Sequence, residues 1–261
     1  MFLWLSKDRR TSVLHWGMEL IVVVVGVLLA LWAQQWAEGR AERERMNLAL
    51  DAVHTEARDN MALLMFKQSL DRCLIERETL IRDGLLAPRV DWPGITENAI
   101  VYEVVGPLKQ NPVHGVMARQ GDPLKTAAFR SALTTGALTP LERERLDDLN
   151  ALYAMFDQIN AEEDKGDRSI RTLAALAHPI RLTPEIRAEM LGALYSADRN
   201  RFAIQYAFWN GLTSYFGNLG WNDEAFLDRV IRTQARDERR DGINWRPCKQ
   251  KLVNPFRAEG S

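Results

Sequence analysis

Cysteine is scarce: the 261 residues hold two, Cys73 and Cys248. A disulfide framework or a paired-cysteine zinc knuckle needs more. One bridge stays open if both thiols lie in an oxidising compartment, and two separate thiols is the other reading. Histidine is as sparse, with His15, His54, His114 and His178 far apart and without ligand spacing. His54 and Glu56 are two residues apart, so on a helix they face different ways. The chain also lacks a glycine-rich phosphate loop and a strand–Ser–helix elbow. Neither sign of charge dominates, 34 basic against 35 acidic residues, so no global field points to nucleic acid. The basic run at residues 232–240 is interleaved with acids and has no aromatic residue. Asp147 with Asp148, and Glu162 with Glu163 and Asp164, read as solvated helix faces. These absences lead to the expectation of no catalytic residue, no cofactor, no metal site and no nucleic-acid partner.

What the sequence does have is one long apolar run, HWGMELIVVVVGVLLALWAQQW, residues 15–36. Between residues 20 and 33 only Gly26 is not apolar. Trp16 and Trp36 stand twenty residues apart, roughly 30 Å at the helical rise. That is the thickness of a bilayer's hydrocarbon, and indoles favour its two interfaces. A cleaved leader is the competing reading, because basic residues precede the run. The apolar stretch is long for a leader, and Leu31 and Trp32 sit poorly before a cut after Ala33. A retained transmembrane helix over residues 15–37 is therefore expected, with lipid as a partner.

Within this helix Glu19, Gly26 and Ala33 are seven residues apart, and Ala30 and Ala37 share that spacing. Gly26 with Ala30, and Ala33 with Ala37, are small-xxx-small pairs, which let helix backbones approach closely in lipid. Glu19 lies three residues inside Trp16, with His15 one turn earlier as a possible pair. A carboxyl group at that depth is costly unless it is paired, protonated or turned toward protein. The expectation is a homo-oligomer through Glu19, Gly26, Ala30, Ala33 and Ala37. The alternative is a lone anchor whose Glu19 reaches back to the headgroups.

The run MELIVVVVGVLLALWAQQW with EGRAERER after it resembles a family of uncharacterised single-pass bacterial membrane proteins. In that family a Glu precedes a Val/Ile run, then Gly, Leu-x-Ala-Leu and a terminal Trp. The matching positions here are Glu19, residues 22–25, Gly26, Leu28, Ala30, Leu31 and Trp36. The resemblance covers some 25 residues, with a further echo at TTGALTP, and it implies an anchor in a bacterial inner membrane without implying an activity. Basic residues tie across the span, Lys7, Arg9 and Arg10 against Arg40, Arg43 and Arg45. A short amino-terminal side is easily kept in the cytoplasm, so the soluble part is expected in the periplasm.

Residues 38–84 are rich in helix formers, and their apolar positions repeat at helical spacing with one phase shift. This reads as a long amphipathic helix, with Gly39 as a possible bend and Gly84 with Pro88 at its end. The phase shift breaks a heptad, which favours packing in the protein's own bundle over a coiled coil. Residues 85–122 form a Pro/Gly-rich connection, where AIVYEVV reads as a strand or a short helix capped by Thr96. Helical signals resume over residues 123–237. Asp122 and Pro123 fit an N-cap and first position, closed by Gly136. Thr139 to Glu142 fits a capping box. Gly166 is an expected interruption, and helix starts are expected at Thr183–Pro184 and at Asn222–Asp223. LTPLERERL and LTPEIRAEM, 44 residues apart, resemble one another, as an old duplication or as two starts under the same capping rules. Residues 238–261 read as an irregular tail in which Trp245 and Phe256 dock.

Phe202, Tyr206, Trp209 and Phe216 fall near one face of a helix, with Arg201, Asn210 and Asn218 nearby. A pocket for a small ligand at Tyr206, Trp209 and Asn210 uses such residues, and so does a helix buried in a bundle. The expected architecture is all-α. A basic segment at residues 1–14 leads into the transmembrane helix and the amphipathic helix, followed by a helical bundle. The expected role is non-enzymatic, through self-association or an unidentified protein partner. An extracytoplasmic ligand-binding module is the alternative.

Overall fold

A computed structural model describes residues 7–95, 102–104, 122–207, 211–240, 243–245, 250–252 and 255. Among these residues the chain is all-α, with two short antiparallel ladders. Helix α1, Lys7–Ser69, is continuous from the apolar run into the bundle, about 95 Å at the usual rise per residue. It passes through Gly39 without a break. Gln34 donates to Glu38 at 2.8 Å and Arg43 donates to the Gly39 carbonyl at 3.0 Å, local contacts that hold the helix where the anticipated bend would fall. From Trp16 to Leu48 nearly all described side chains are exposed, and burial begins at Ala49 and Leu50.

The amphipathic stretch 38–84 is divided near Leu70. There the Ser69 hydroxyl takes the Phe66 carbonyl at 2.6 Å and the Leu70 N–H takes that of Lys67 at 3.0 Å. Such side-chain bonds to the backbone compete with the helical ladder. Helix α2, Asp71–Leu86, follows. Its end leads into β1, Asp91–Trp92, and β2 is Tyr102–Val104, which resolves AIVYEVV as a strand at its centre. Helix α3 is Ala127–Thr134 and α4 is Arg143–Leu173. A 3-10 turn, Ala174–Ala177, and β3, Ile180–Arg181, return the chain along α5, Pro184–Ala207. Helices α6, Thr213–Asn218, and α7, Glu224–Arg240, and strand β4, Ile243–Trp245, complete the order. β1 pairs with β3 and β2 with β4. The tail is thereby tied to the long connection, and Trp245 lies in a strand.

Two cores form. In the main core Val53, Ala57, Met61 and Leu64 of α1 meet Leu149, Leu152, Phe156 and Ile159 of α4, so the amphipathic seam packs in the protein's own bundle. Phe129 stacks on Tyr153 at 4.2 Å, and Tyr153 meets Phe156 edge-on at 5.2 Å. The second core gathers Leu74, Ile81 and Leu85 of α2 with Trp92, Leu173, Leu176 and Leu194. There the Trp92 indole donates to the Leu176 carbonyl at 2.8 Å.

Helix ends follow capping chemistry, though not always where the residue types suggest. Gly136 and Gly220, both at positive φ, close α3 and α6. In each case the next N–H reaches back to a carbonyl five residues earlier, Ala137 to Ala132 at 3.0 Å and Trp221 to Phe216 at 2.8 Å. Thr183 accepts the Ile186 N–H at 3.3 Å, and Asp223 accepts that of Phe226 at 2.8 Å, so those two starts hold. Thr139 does not cap α4. The turn beyond Gly136 carries the chain on to Glu142, and the helix begins at Arg143. LTPLERERL and LTPEIRAEM therefore begin their helices at different places. Helix α4 also runs straight through Gly166.

Asp122 and Pro123 do not start α3, which begins at Ala127. Two asparagines hold the intervening chain extended. Asn160 of α4 accepts the Leu124 N–H at 2.7 Å and donates to its carbonyl at 2.9 Å. Asn60 of α1 does the same for Lys125, at 2.8 and 2.7 Å. Removing either amide leaves two backbone groups unpaired. Asn160→Ala and Asn60→Ala are each expected to lower stability by about 1–3 kcal/mol, measured by denaturant unfolding in detergent micelles. A negligible loss in both would show that packing alone holds the segment.

Candidate functional site

Within α1 lies an 18-residue stretch of mean hydropathy 2.0, wholly exposed and long enough to cross a membrane. Glu19, Gly26, Ala30, Ala33 and Ala37 are all exposed on it, and a Cβ built at Gly26 meets nothing within 4 Å. The fold thus brings this stripe to no other part of the described chain. At its far end the Arg40 guanidinium sits 6.0 Å from the Trp36 ring centroid, a pairing suited to a headgroup layer. The His15 side chain lies outside the described residues.

The second notable feature is a set of buried charges where α1 meets α2. Lys67, 6% exposed, donates to Glu163 of α4 at 2.5 Å and to the Asp122 carbonyl at 2.9 Å. Burial raises the Glu163 pKa, Lys67 opposes the rise, and Asp167 and Asp164 add to it. Arg201 of α5 donates to Glu78 of α2 at 3.1 Å and also bonds Asp198. Burial likewise raises the Glu78 pKa against the pull of Arg201. Asp71, the first residue of α2, is pushed up to about 6 by burial, with Arg201 opposing. A shallow cleft among Lys67, Gln68, Asp71, Arg201 and Gln205 encloses about 20 Å³, room for one water and not for an organic ligand.

Cys73, in the first turn of α2, is disulfide-bonded. The only other cysteine, Cys248, lies outside the described residues. Close by, the Gln250 N–H donates to the Ser69 carbonyl at 2.8 Å, so the tail crosses the α1–α2 junction.

The aromatic helix does not present one surface. Phe202 is exposed, Phe216 is buried in the main core and Arg201 turns to Glu78. Trp209, Asn210 and the Tyr206 side chain lie outside the described residues, as does Phe256. Among the described residues no group of three or more His, Cys, Asp and Glu is arranged to hold a metal ion. Periodicity alone missed the Glu78–Arg201 pair, although Glu78 stands on the apolar stripe of Leu74, Ile81 and Leu85. No family model, curated protein or solved structure matches the chain.

His54 stacks on Trp221 at 4.7 Å, and its Nε2 has no hydrogen-bond partner among the described residues. Burial first, then Arg58, lowers its pKa below 6.5. The unfolded chain therefore binds the proton more tightly. The stability contributed by the neutral ring is present above pH 6.5 and lost as pH falls through the lowered pKa. His54→Gln is expected to flatten the acid limb of the melting temperature, and an unchanged limb would clear His54 of that role. Arg201→Met leaves Glu78 buried without its cation and is expected to cost about 3–5 kcal/mol. Adding Glu78→Leu should restore most of the loss, and no recovery in the double variant would show that the pair is not the cause.

Proposed function

We propose that this is a single-pass membrane protein of a bacterial inner membrane that displays its helical bundle in the periplasm and works by contact with itself or a protein partner, without catalysis. The observation that carries the reading is the continuity of α1. One helix holds both the exposed apolar stretch and one wall of the main core. Between Ala37 and Ala49 it advances about 18 Å, so the bundle stands off a membrane surface on a charged stem. The bonded state of Cys73 supports an oxidising compartment, hence the periplasmic side. The resemblance of the apolar run to single-pass bacterial proteins points the same way.

Self-association runs through the small-residue stripe, with Glu19 turned to the neighbouring helix. Single cysteines placed at Gly26 and Ala33 are expected to cross-link in native membranes far better than one at Leu28 on the opposite face, and Gly26→Ile should reduce cross-linking through position 33 several-fold. Equal cross-linking from all faces, or none, would contradict self-association. Orientation has its own readout. In intact cells an impermeant thiol reagent should label the chain only after reduction, whereas labelling that requires broken cells would reverse the topology.

A further inference from the structure

The geometry points to Asp71 as a proton-operated latch at the α1–α2 junction: the neutral acid holds α2 closed against α5, and the carboxylate loosens it. Asp71 is 8% exposed and lines the water-sized cleft, and its carboxyl group makes no hydrogen bond among the described residues. The cations that face it are already engaged. From α1, Lys67 is bonded to Glu163 of α4 and to the Asp122 carbonyl. From α5, Arg201 bridges Glu78 and Asp198. Asp71, Glu78 and Asp198 thus share one guanidinium, and the remaining polar neighbours, Gln68 and Gln205, are neutral.

A carboxylate so placed has only its share of the Arg201 charge to offset burial, and gains more only if water is drawn into the cleft or Arg201 leaves Glu78. The protonated form gives up that charge and gains a donor, and the two glutamines lining the same cleft carry acceptor oxygens. The proton is taken from and returned to bulk water. Because α1 ends at Ser69 and α2 begins at Asp71, the latch sits where the main-core part of α1 passes into the second core.

The sign follows from the pKa of about 6. The folded state binds the proton more tightly than the unfolded one, so the stabilisation is complete below the unfolded pKa and lost as pH rises through 6. His54 in the main core acts in the opposite direction, so the readout must be local to α2. The experiment is amide hydrogen exchange on the full chain in detergent micelles, corrected for intrinsic rates. In the wild type, opening of α2 is expected to increase about tenfold between about pH 5 and about pH 7.5. Asp71→Asn should cut that dependence several-fold, the remainder coming from Glu78 on the same helix, and leave α2 protected at both values. The same pH ratio in the variant, or lost protection at both values as a packing defect would give, overturns the proposal.

Discussion

Among the described residues nothing covers the apolar surface of α1, and the rest of the structure is arranged around that constraint. Fourteen large apolar side chains from Trp16 to Trp36 stand exposed on an isolated helix. At about 1.5–3 kcal/mol for each one removed from water, the penalty of leaving them wet is on the order of 20–40 kcal/mol. That exceeds the roughly 5–15 kcal/mol by which a folded domain commonly outweighs its unfolded state, so covering this stretch is a strong driving force. Lipid, or lipid together with a second copy of the helix, is the solvent the proposed reading supplies.

The same helix then organises the bundle. Beyond Ala49 it lends Val53, Ala57, Met61 and Leu64 to the main core. Its polar residues reach across to other elements. Glu56 accepts the Ala128 N–H at 2.9 Å at the start of α3, Asn60 holds Lys125 and Lys67 holds Glu163. Each bond requires its residue at one rotational setting of α1, because a shift of one residue turns a helix by about 100°. Buried polar contacts of this kind add little net stability, and register is the better-attested use for them. Here they tie the rotation of the apolar segment to the placement of α3 and α4. The disulfide at Cys73 and the Gln250–Ser69 bond restrain the other side of the junction.

Much of this was legible in the order of residues. The apolar run, the amphipathic face after it and the starts at Thr183 and Asp223 rest on local rules, and local rules survive into the fold. The failures share a cause. Asp122–Pro123 looks like a helix start, yet Asn60 and Asn160, distant in the chain, hold the next residues extended. Thr139 is overridden by the turn after Gly136, and the division near Leu70 depends on a serine bonding its own backbone. The ionic cluster was half visible. Glu78, Lys67 and Arg201 each interrupt an apolar stripe, which marks a buried charge, but nothing local identifies a partner 123 residues away.

The most direct test of the account is where the intact chain goes when cells are broken without detergent. The full-length protein should sediment with the membranes, stay there through high salt and alkaline carbonate, and leave only when detergent is added. Intact chain recovered in the supernatant, monomeric and folded, would mean that water does solvate the amino-terminal helix, and the account would fail.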